Sequence, residues 1–266
     1  MTNTRTRADQ CPGVFRPWAA ADGNLVRLRL AGGLLPAGSL RALSELATAY
    51  GDGDVHVTGR ANLQLRGLGE ITPEIVAAIE ATGLLPSRTH ELARNLMTSP
   101  QTGLAGGRAD LRPLVAELDR LLCADPLLAG LPGRFLFVLD DGRGDLLDRP
   151  VDLGLVTLDD RSAQLVVGGR WGAVVPLTDA APRLVALARS FLQTRTTEWH
   201  VSELIAPLTP VLPPDRLIPP ATHALPYGTV PGGEHVPAPD GIVDPALGDL
   251  DVDLVVTPWR GVLVPA

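Results

Sequence analysis

The chain has 266 residues, 45% of them hydrophobic and 20% charged, which is ordinary globular usage and excludes wholesale disorder. All 23 basic residues are arginine, so Schiff-base and P-loop lysine chemistry are excluded. A net charge of -7 argues against a nucleic-acid partner, which would need a basic face. The opening Met1–Gln10 is polar and no run of about 18 apolar residues occurs, so no membrane segment and a cytoplasmic location are expected.

The first strand is predicted over 24–30, where alternation puts Val26, Leu28 and Leu30 on one face and Arg27 and Arg29 on the other. After Ala31-Gly-Gly33, Leu40, Leu43, Leu46, Ala47 and Tyr50 recur at helical spacing, with Ser39 as N-cap and Gly51 as terminator. Strands follow at 55–58 and 62–66, and Thr72 with Pro73 opens a second helix that turns Ile75, Val76 and Ile79 inward. The order strand, helix, strand, strand, helix is that of a ferredoxin-like half-unit.

Residues 91–107 read as a short strand and a loop, and a helix from Asp110 carries Leu111, Leu114, Val115, Leu118, Leu121 and Leu122. Strands are predicted at 134–139, 151–158, 163–167 and 173–177, with Asp140-Asp-Gly-Arg-Gly144 as a turn. Thr178 is expected to cap a last helix bearing Leu184, Val185, Leu187, Ala188 and Phe191. Between Pro207 and Pro239 prolines and glycines are dense and no period survives, which predicts a linker or extended crossover. Two strand-like runs, 252–257 and 261–264, end the chain. Residues 55–65 align without a gap on 254–264, each reading strand, Thr, Arg corner, strand, which predicts a duplicated element.

Arg27 and Arg29 read either as a solvated strand edge or, with Arg60 and Arg94 beside small polar residues at strand ends, as forks for carboxylates. Several arginines on one site would suit a polycarboxylate. The five histidines, His56, His90, His200, His223 and His235, lack metal-ligand spacing and are expected to be structural or superficial. Cys11 and Cys123 form neither a disulfide framework nor a metal pair, and no metal site is read from them. Trp199-His200 stands without a functional reading.

Leu25-Val-Arg-Leu-Arg-Leu-Ala-Gly-Gly33, Val57-Thr-Gly-Arg-Ala-Asn-Leu-Gln-Leu-Arg-Gly67 and Ala93-Arg-Asn-Leu96 resemble, in order, three signatures of the N-terminal half of the sulfite/nitrite reductase superfamily. Cys11-Pro-Gly-Val-Phe-Arg-Pro17, Leu131-Pro-Gly-Arg-Phe-Leu-Phe137 with Asp140-Asp-Gly142, and Thr257-Pro-Trp-Arg-Gly261 are similar to the precorrin-3B synthase family in particular. The resemblance implies an α+β protein: a ferredoxin-like half-unit (1–85), a sulfite reductase-type tetrapyrrole-binding α/β domain (86–206), a linker (207–240) and the start of a second half-unit (241–266). It implies tetrapyrrole-gripping roles for Arg27, Arg29, Thr58, Arg60, Asn62, Arg94 and Asn95, and places Arg134 where reductases carry a basic residue near the substrate. The reductases' second Lys, two positions on, is replaced by Leu136, which favours a bulky organic substrate of the precorrin-3A type over a small anion.

The implied reaction is oxygen-dependent hydroxylation of precorrin-3A with lactone formation in cobalamin biosynthesis. Siroheme-dependent nitrite or sulfite reduction and a non-catalytic tetrapyrrole-binding subunit remain as alternatives. The implied cofactors are a [4Fe-4S] cluster and siroheme or iron, with an external electron donor. A cluster needs four Cys thiolates, and this chain has two outside any ligand motif, so it reads as ending before the cluster cysteines. A companion chain carrying the cluster is then expected.

Overall fold

The computed structural model describes residues 9–266; most of the polar run 1–10 and the start of the expected 1–85 domain therefore lie outside the described residues. In chain order the first half contributes β1 (Trp18–Ala20), β2 (Gly23–Leu28), β3 (Leu34–Leu35), helix α1 (Ser39–Tyr50), β4 (Val55–Val57), β5 (Leu63–Leu68) and α2 (Pro73–Ala81). Then come β6 (Leu96–Thr98), α3 (Arg112–Ala124), β7 (Phe137–Asp140), β8 (Leu153–Thr157), β9 (Ser162–Val167), β10 (Arg170–Pro176) and α4 (Leu177–Thr194). The last strands are β11 (Gly228–Val230), β12 (Gly233–Pro237), β13 (Leu254–Thr257) and β14 (Gly261–Pro265). The architecture is α+β with three sheets.

One compact unit combines Cys11–Glu91 with Ala224–Ala266. It contains a four-stranded sheet, order β1-β2-β5-β4, and a five-stranded sheet, order β11-β12-β14-β13-β3. Val26, Leu28, Leu63 and Leu65 on the strands meet Leu40, Leu43 and Ile79 on α1 and α2 in one apolar core. Gly51 ends α1 by donating to the Ala47 carbonyl, and Thr72 caps α2 by accepting the Ile75 N–H, as the spacing predicts. Ser39 is not a cap: Gly38, left-handed at φ 77°, takes that position, and the Ser39 hydroxyl donates instead to the Thr82 carbonyl.

The two aligned segments are hairpins of identical register. Val57 lies opposite Leu63, and Val256 opposite Val262. Their corners share a rarer feature, a non-glycine residue at positive φ in the matching position: Ala61 at 56° and Arg260 at 59°. Two strands, β11 and β12, occupy the end of the Pro/Gly-rich stretch where no regular structure was expected. Gly232, at φ 84°, lies in the turn between them and Gly233, at φ 157°, opens β12, so composition hid the short ladder.

The second unit comprises residues 9–10 and Leu92–His223. Its sheet, order β10-β9-β8-β7-β6, is parallel from β6 to β8 and antiparallel from β8 to β10. Phe135, Phe137 and Phe191, all fully buried, form its aromatic centre. The strand expected from Arg134 begins only at Phe137, because Phe135 N–H donates to the Pro132 carbonyl at 2.9 Å and folds residues 132–135 into a turn. The helix expected from Asp110 begins at Arg112, whose N–H is accepted by the Asp110 carboxylate. The last helix starts at Leu177, after Pro176, without a Thr178 cap bond. Among the described residues no helix is long and apolar enough to cross a membrane.

Gly33 stands at φ 79°, and a Cβ there would come within 2.3 Å of the Val256 carbonyl oxygen; Gly38, at φ 77°, has open space. Gly38→Ala should therefore cost only the left-handed penalty of about 1–2 kcal/mol, and Gly33→Ala clearly more, since backbone must also move. Urea unfolding of the two variants measures the difference.

Candidate functional site

The alternation that turns Val26 and Leu28 into the core turns Arg27 outward, and the same period turns out Gln64 and Arg66 from β5 and His56 from β4. Register places Arg27, Gln64 and His56 side by side across three strands. Together with Thr58, Asp240 and Arg260 these side chains line a polar cleft of about 270 Å³. With its amide oxygen turned toward Arg27, Gln64 accepts from Nη2 at 2.6 Å and Nε at 3.1 Å, which fixes the guanidinium plane. Asp22 pairs with Arg66 at 3.1 Å and Asp52 with His56 at 2.8 Å. Arg260 enters from the corner of the second hairpin, and Asp240, also at positive φ, is the cleft's single carboxylate lining residue. Three arginines and one carboxylate line the cleft, with Arg66 already paired to Asp22 and His56 to Asp52, so the positive charge left over comes from Arg27 and Arg260.

The corner below the cleft is built by its own polar side chains. Thr58 Oγ1 accepts the Asn62 N–H at 3.2 Å and the Arg60 N–H at 3.3 Å, leaving its own O–H available. Asn62 is buried and its Oδ1 accepts the Leu30 N–H at 3.0 Å, tying the corner to the end of β2. Arg60 is half-buried in the same turn. Arg29 lies just past the end of β2 and, against the outward face expected of it, is only 2% exposed: Nη1 donates to the Pro12 carbonyl at 3.2 Å. Glu91 accepts the Val14 and Phe15 N–H groups beside it, and burial pushes its carboxyl up against the pull of those bonds and of Arg29. Arg29 thus holds residues 11–15 in place.

The remaining expected residues lie in the other unit. Arg94 makes a two-pronged bond to Asp119, at 2.7 and 2.8 Å, and its side chain is 6% exposed. Asn95 is buried and donates to the Gly133 carbonyl at 2.8 Å and the Phe135 carbonyl at 3.2 Å, clamping the turn that carries Arg134. Arg134 is exposed at that turn, and Leu136 is buried, so the residue two positions on presents no side chain to solvent. Of the eight expected residues, Arg27 and Thr58 share the cleft, and Arg60 and Asn62 adjoin it. His56, Gln64, Arg66, Asp240 and Arg260 were not foreseen. Period-2 alternation marks the first three and the repeat register marks Arg260; only the fold brings in Asp240.

The cysteines do not fit an iron–sulfur cluster. Cys11 is buried in one unit and Cys123 half-buried in the other, where burial and Asp119 push its thiol up and keep it protonated. Among the described residues no group of three His, Cys, Asp or Glu side chains could hold a metal ion.

Residues 19–82 match the family model of the nitrite/sulfite reductase ferredoxin-like half domain. The chain is 33% identical to the ferredoxin–nitrite reductase of Leptolyngbya laminosa over 131 residues, 46% of this chain and 26% of that one. It is 30% identical to the precorrin-3B synthase of a Sinorhizobium species over 171 residues, 62% of this chain and 35% of that one. The chain thus spans about a quarter to a third of these relatives' length. The solved structure of the Mycobacterium tuberculosis NirA protein overlays 91% of this chain and 54% of its own with a TM-score of 0.68 at 20% identity, a likeness of fold. Over part of its length the chain is thus similar to nitrite reductases and to a precorrin-3B synthase, and its residues 19–82 are matched by the half-domain model.

In the second unit the turn after β7 gathers three carboxylates. Asp140 accepts the N–H groups of Gly142, Gly144 and Leu146, Asp141 holds Arg143 by two bonds, and Asp145 accepts the Ser99 hydroxyl at 2.7 Å. Burial pushes the Asp145 carboxyl up to about 7 from 3.8. Between those values the native state keeps a proton that the unfolded chain has released, so this group's contribution to stability is greatest below 3.8 and is lost as pH rises toward about 7. Asp145→Asn should flatten a fall that in the native chain reaches at most about 1.4 kcal/mol per pH unit; urea unfolding at about pH 5 and about pH 8 measures it.

Proposed function

We propose that this chain grips the carboxylate arms of a tetrapyrrole and serves an oxidoreductase of cobalamin biosynthesis resembling precorrin-3B synthase. The observation that carries this reading is the cleft lined by Arg27, Arg66 and Arg260 with Thr58, His56 and Gln64. Guanidinium forks match carboxylates in two parallel bonds, and a cleft of about 270 Å³ suits acetate or propionate arms better than a macrocycle, which needs the larger end of the usual pocket range. The buried Leu136 beside Arg134 supports an organic ligand over a small inorganic anion.

On this reading Arg27, Arg66, Arg260, Thr58 and Arg60 meet the ligand. Arg29, Asn62, Arg94 and Asn95 hold the scaffold through their internal bonds. The reaction proposed for the assembled enzyme is oxygen-dependent hydroxylation of a precorrin-3A-type substrate with lactone formation. Siroheme or iron and a [4Fe-4S] cluster would come with a companion chain, and electrons from an external donor, in the cytoplasm and with no nucleic-acid or membrane partner. A second reading, siroheme-dependent nitrite or sulfite reduction, is favoured by the 33% identity to two cyanobacterial ferredoxin–nitrite reductases.

Titration of the purified chain with uroporphyrin III and with siroheme, followed by the shift of the main visible band, tests the reading. Arg27→Ala and Arg260→Ala should each weaken binding by about 1.5–3 kcal/mol, the scale of a hydrogen bond to a charged group. Unchanged binding in both variants would sink the cleft assignment, and tighter binding of siroheme than of uroporphyrin III would favour the second reading.

A further inference from the structure

Arg260 reaches the cleft from the corner Thr257-Pro-Trp-Arg-Gly261 at φ 59°, a backbone angle that a non-glycine residue keeps only where its surroundings enforce it. In the aligned first corner buried Asn62 supplies that support, its Oδ1 accepting the Leu30 N–H. The second corner has Gly261 at that position, and the space is filled from the neighbouring strand: a Cβ there would come within 2.4 Å of His235 Nε2. His235, on β12, is fully buried. Its Nδ1 faces two backbone carbonyls, Leu225 at 3.2 Å and Pro226 at 3.0 Å, so that nitrogen carries the proton and Nε2 accepts the Thr257 hydroxyl at 2.9 Å. Burial pulls the imidazole below the usual histidine pKa, against the pull of those carbonyls, which favours this neutral form. The Tyr227 ring lies over the imidazole, centroids 4.7 Å apart, and its hydroxyl donates to the Trp259 carbonyl, one residue before Arg260. On the other side the Ala238 N–H donates to the Arg260 carbonyl at 3.0 Å. The peptide groups before and after the Arg260 Cα are thus each fixed by a hydrogen bond, and all these residues belong to the compact unit that holds the cleft.

We infer that Tyr227 is a positioning residue for Arg260, its hydroxyl holding the Trp259 carbonyl so that the guanidinium is presented to a carboxylate of the bound ligand. The two peptide planes that flank a Cα set its φ and ψ, and with both planes fixed the direction of the side chain is fixed as well. Without the hydroxyl the preceding plane is free to turn, φ relaxes toward the negative values that residues other than glycine prefer, and Cβ swings away from the cleft. An arginine whose backbone is arrested in advance also loses less freedom when the ligand arrives. His235 acts one step behind, stacked on the Tyr227 ring and bonded to Thr257 at the start of the same corner. The inference rests on the tetrapyrrole-carboxylate reading above and adds to it a residue outside the cleft's lining.

The test is uroporphyrin III titration of the full chain carrying Tyr227→Phe, alone and combined with Arg260→Ala or with Arg27→Ala, beside those two single variants. One neutral hydrogen bond corresponds to about a 2- to 5-fold effect, and Tyr227→Phe should weaken binding by about that factor. The loss should recur in the Arg27→Ala background and vanish in the Arg260→Ala background, a pattern that a general loosening of the fold would not give. Thr257→Val, which removes the bond to His235 at the start of the corner, takes the place of Tyr227→Phe if that variant does not fold. A loss that persists at full size without Arg260, or that also disappears without Arg27, would overturn the inference, because the hydroxyl would then act other than through the Arg260 guanidinium. Unchanged binding in Tyr227→Phe while Arg260→Ala weakens it overturns the inference and leaves the carboxylate reading standing. If Arg260→Ala is silent while Arg27→Ala weakens binding, Arg260 is no fork and the inference falls alone; if both are silent, the tetrapyrrole reading falls with it.

Discussion

A guanidinium taken out of water must find a partner inside the protein, because an unpaired buried charge costs several kcal/mol. That constraint sorts the arginines of this chain. Arg94, 6% exposed, is matched by both oxygens of Asp119, and Arg143 is matched by Asp141 in the turn after β7. Arg29, 2% exposed, is spent on the Pro12 carbonyl beside Glu91. These groups hold loops to sheets. Arg260 and Arg134 are exposed, and Arg27 is half-buried against Gln64.

Two of the cleft arginines sit on well-defined backbone. Arg27 belongs to the middle of β2, where neighbouring strands fix its Cα and Gln64 fixes its plane. Arg260 belongs to a hairpin corner whose positive φ recurs at Ala61, so its backbone is set by a turn that the chain builds twice. A side chain on such a support loses less freedom on binding than one on a loose loop, which leaves more of the gross attraction as net affinity.

Sequence periodicity made much of this legible. Strand alternation assigned Val26, Leu28, Leu63 and Leu65 to the core, Thr72-Pro73 marked the start of α2, and the gapless match of 55–65 to 254–264 foretold two hairpins that prove to share register and corner. What stayed hidden depends on contacts between distant segments. Nothing near Arg29 in the chain says that residues 11–15 will cover it, and nothing near Asn62 or Asn95 says that their amides will close on Leu30 or on the Arg134 turn. Both asparagines sit in motifs that suggest ligand contact, yet a buried amide with good backbone partners has little left to offer a ligand. Pairing of β3 with β13 joins residues more than two hundred positions apart and leaves no local trace. Histidines were assigned away from the site because they lack metal spacing, and His56 entered it by another route, as the outward residue between inward Val55 and Val57.

The cleft and the cysteines together constrain how chemistry could be divided. Cys11 is buried, and the Cys123 thiol is pushed up by burial beside Asp119. A thiol held protonated is neither a nucleophile nor a metal ligand. On the proposed reading the cleft supplies charge complementarity at the rim of a ligand, and such peripheral attraction would orient a bound molecule for chemistry that takes place elsewhere on it. Several separate forks suit that task better than one deep pocket, because each arm of a polycarboxylate macrocycle fixes one degree of rotation, and two or three arms together leave the ring a single orientation.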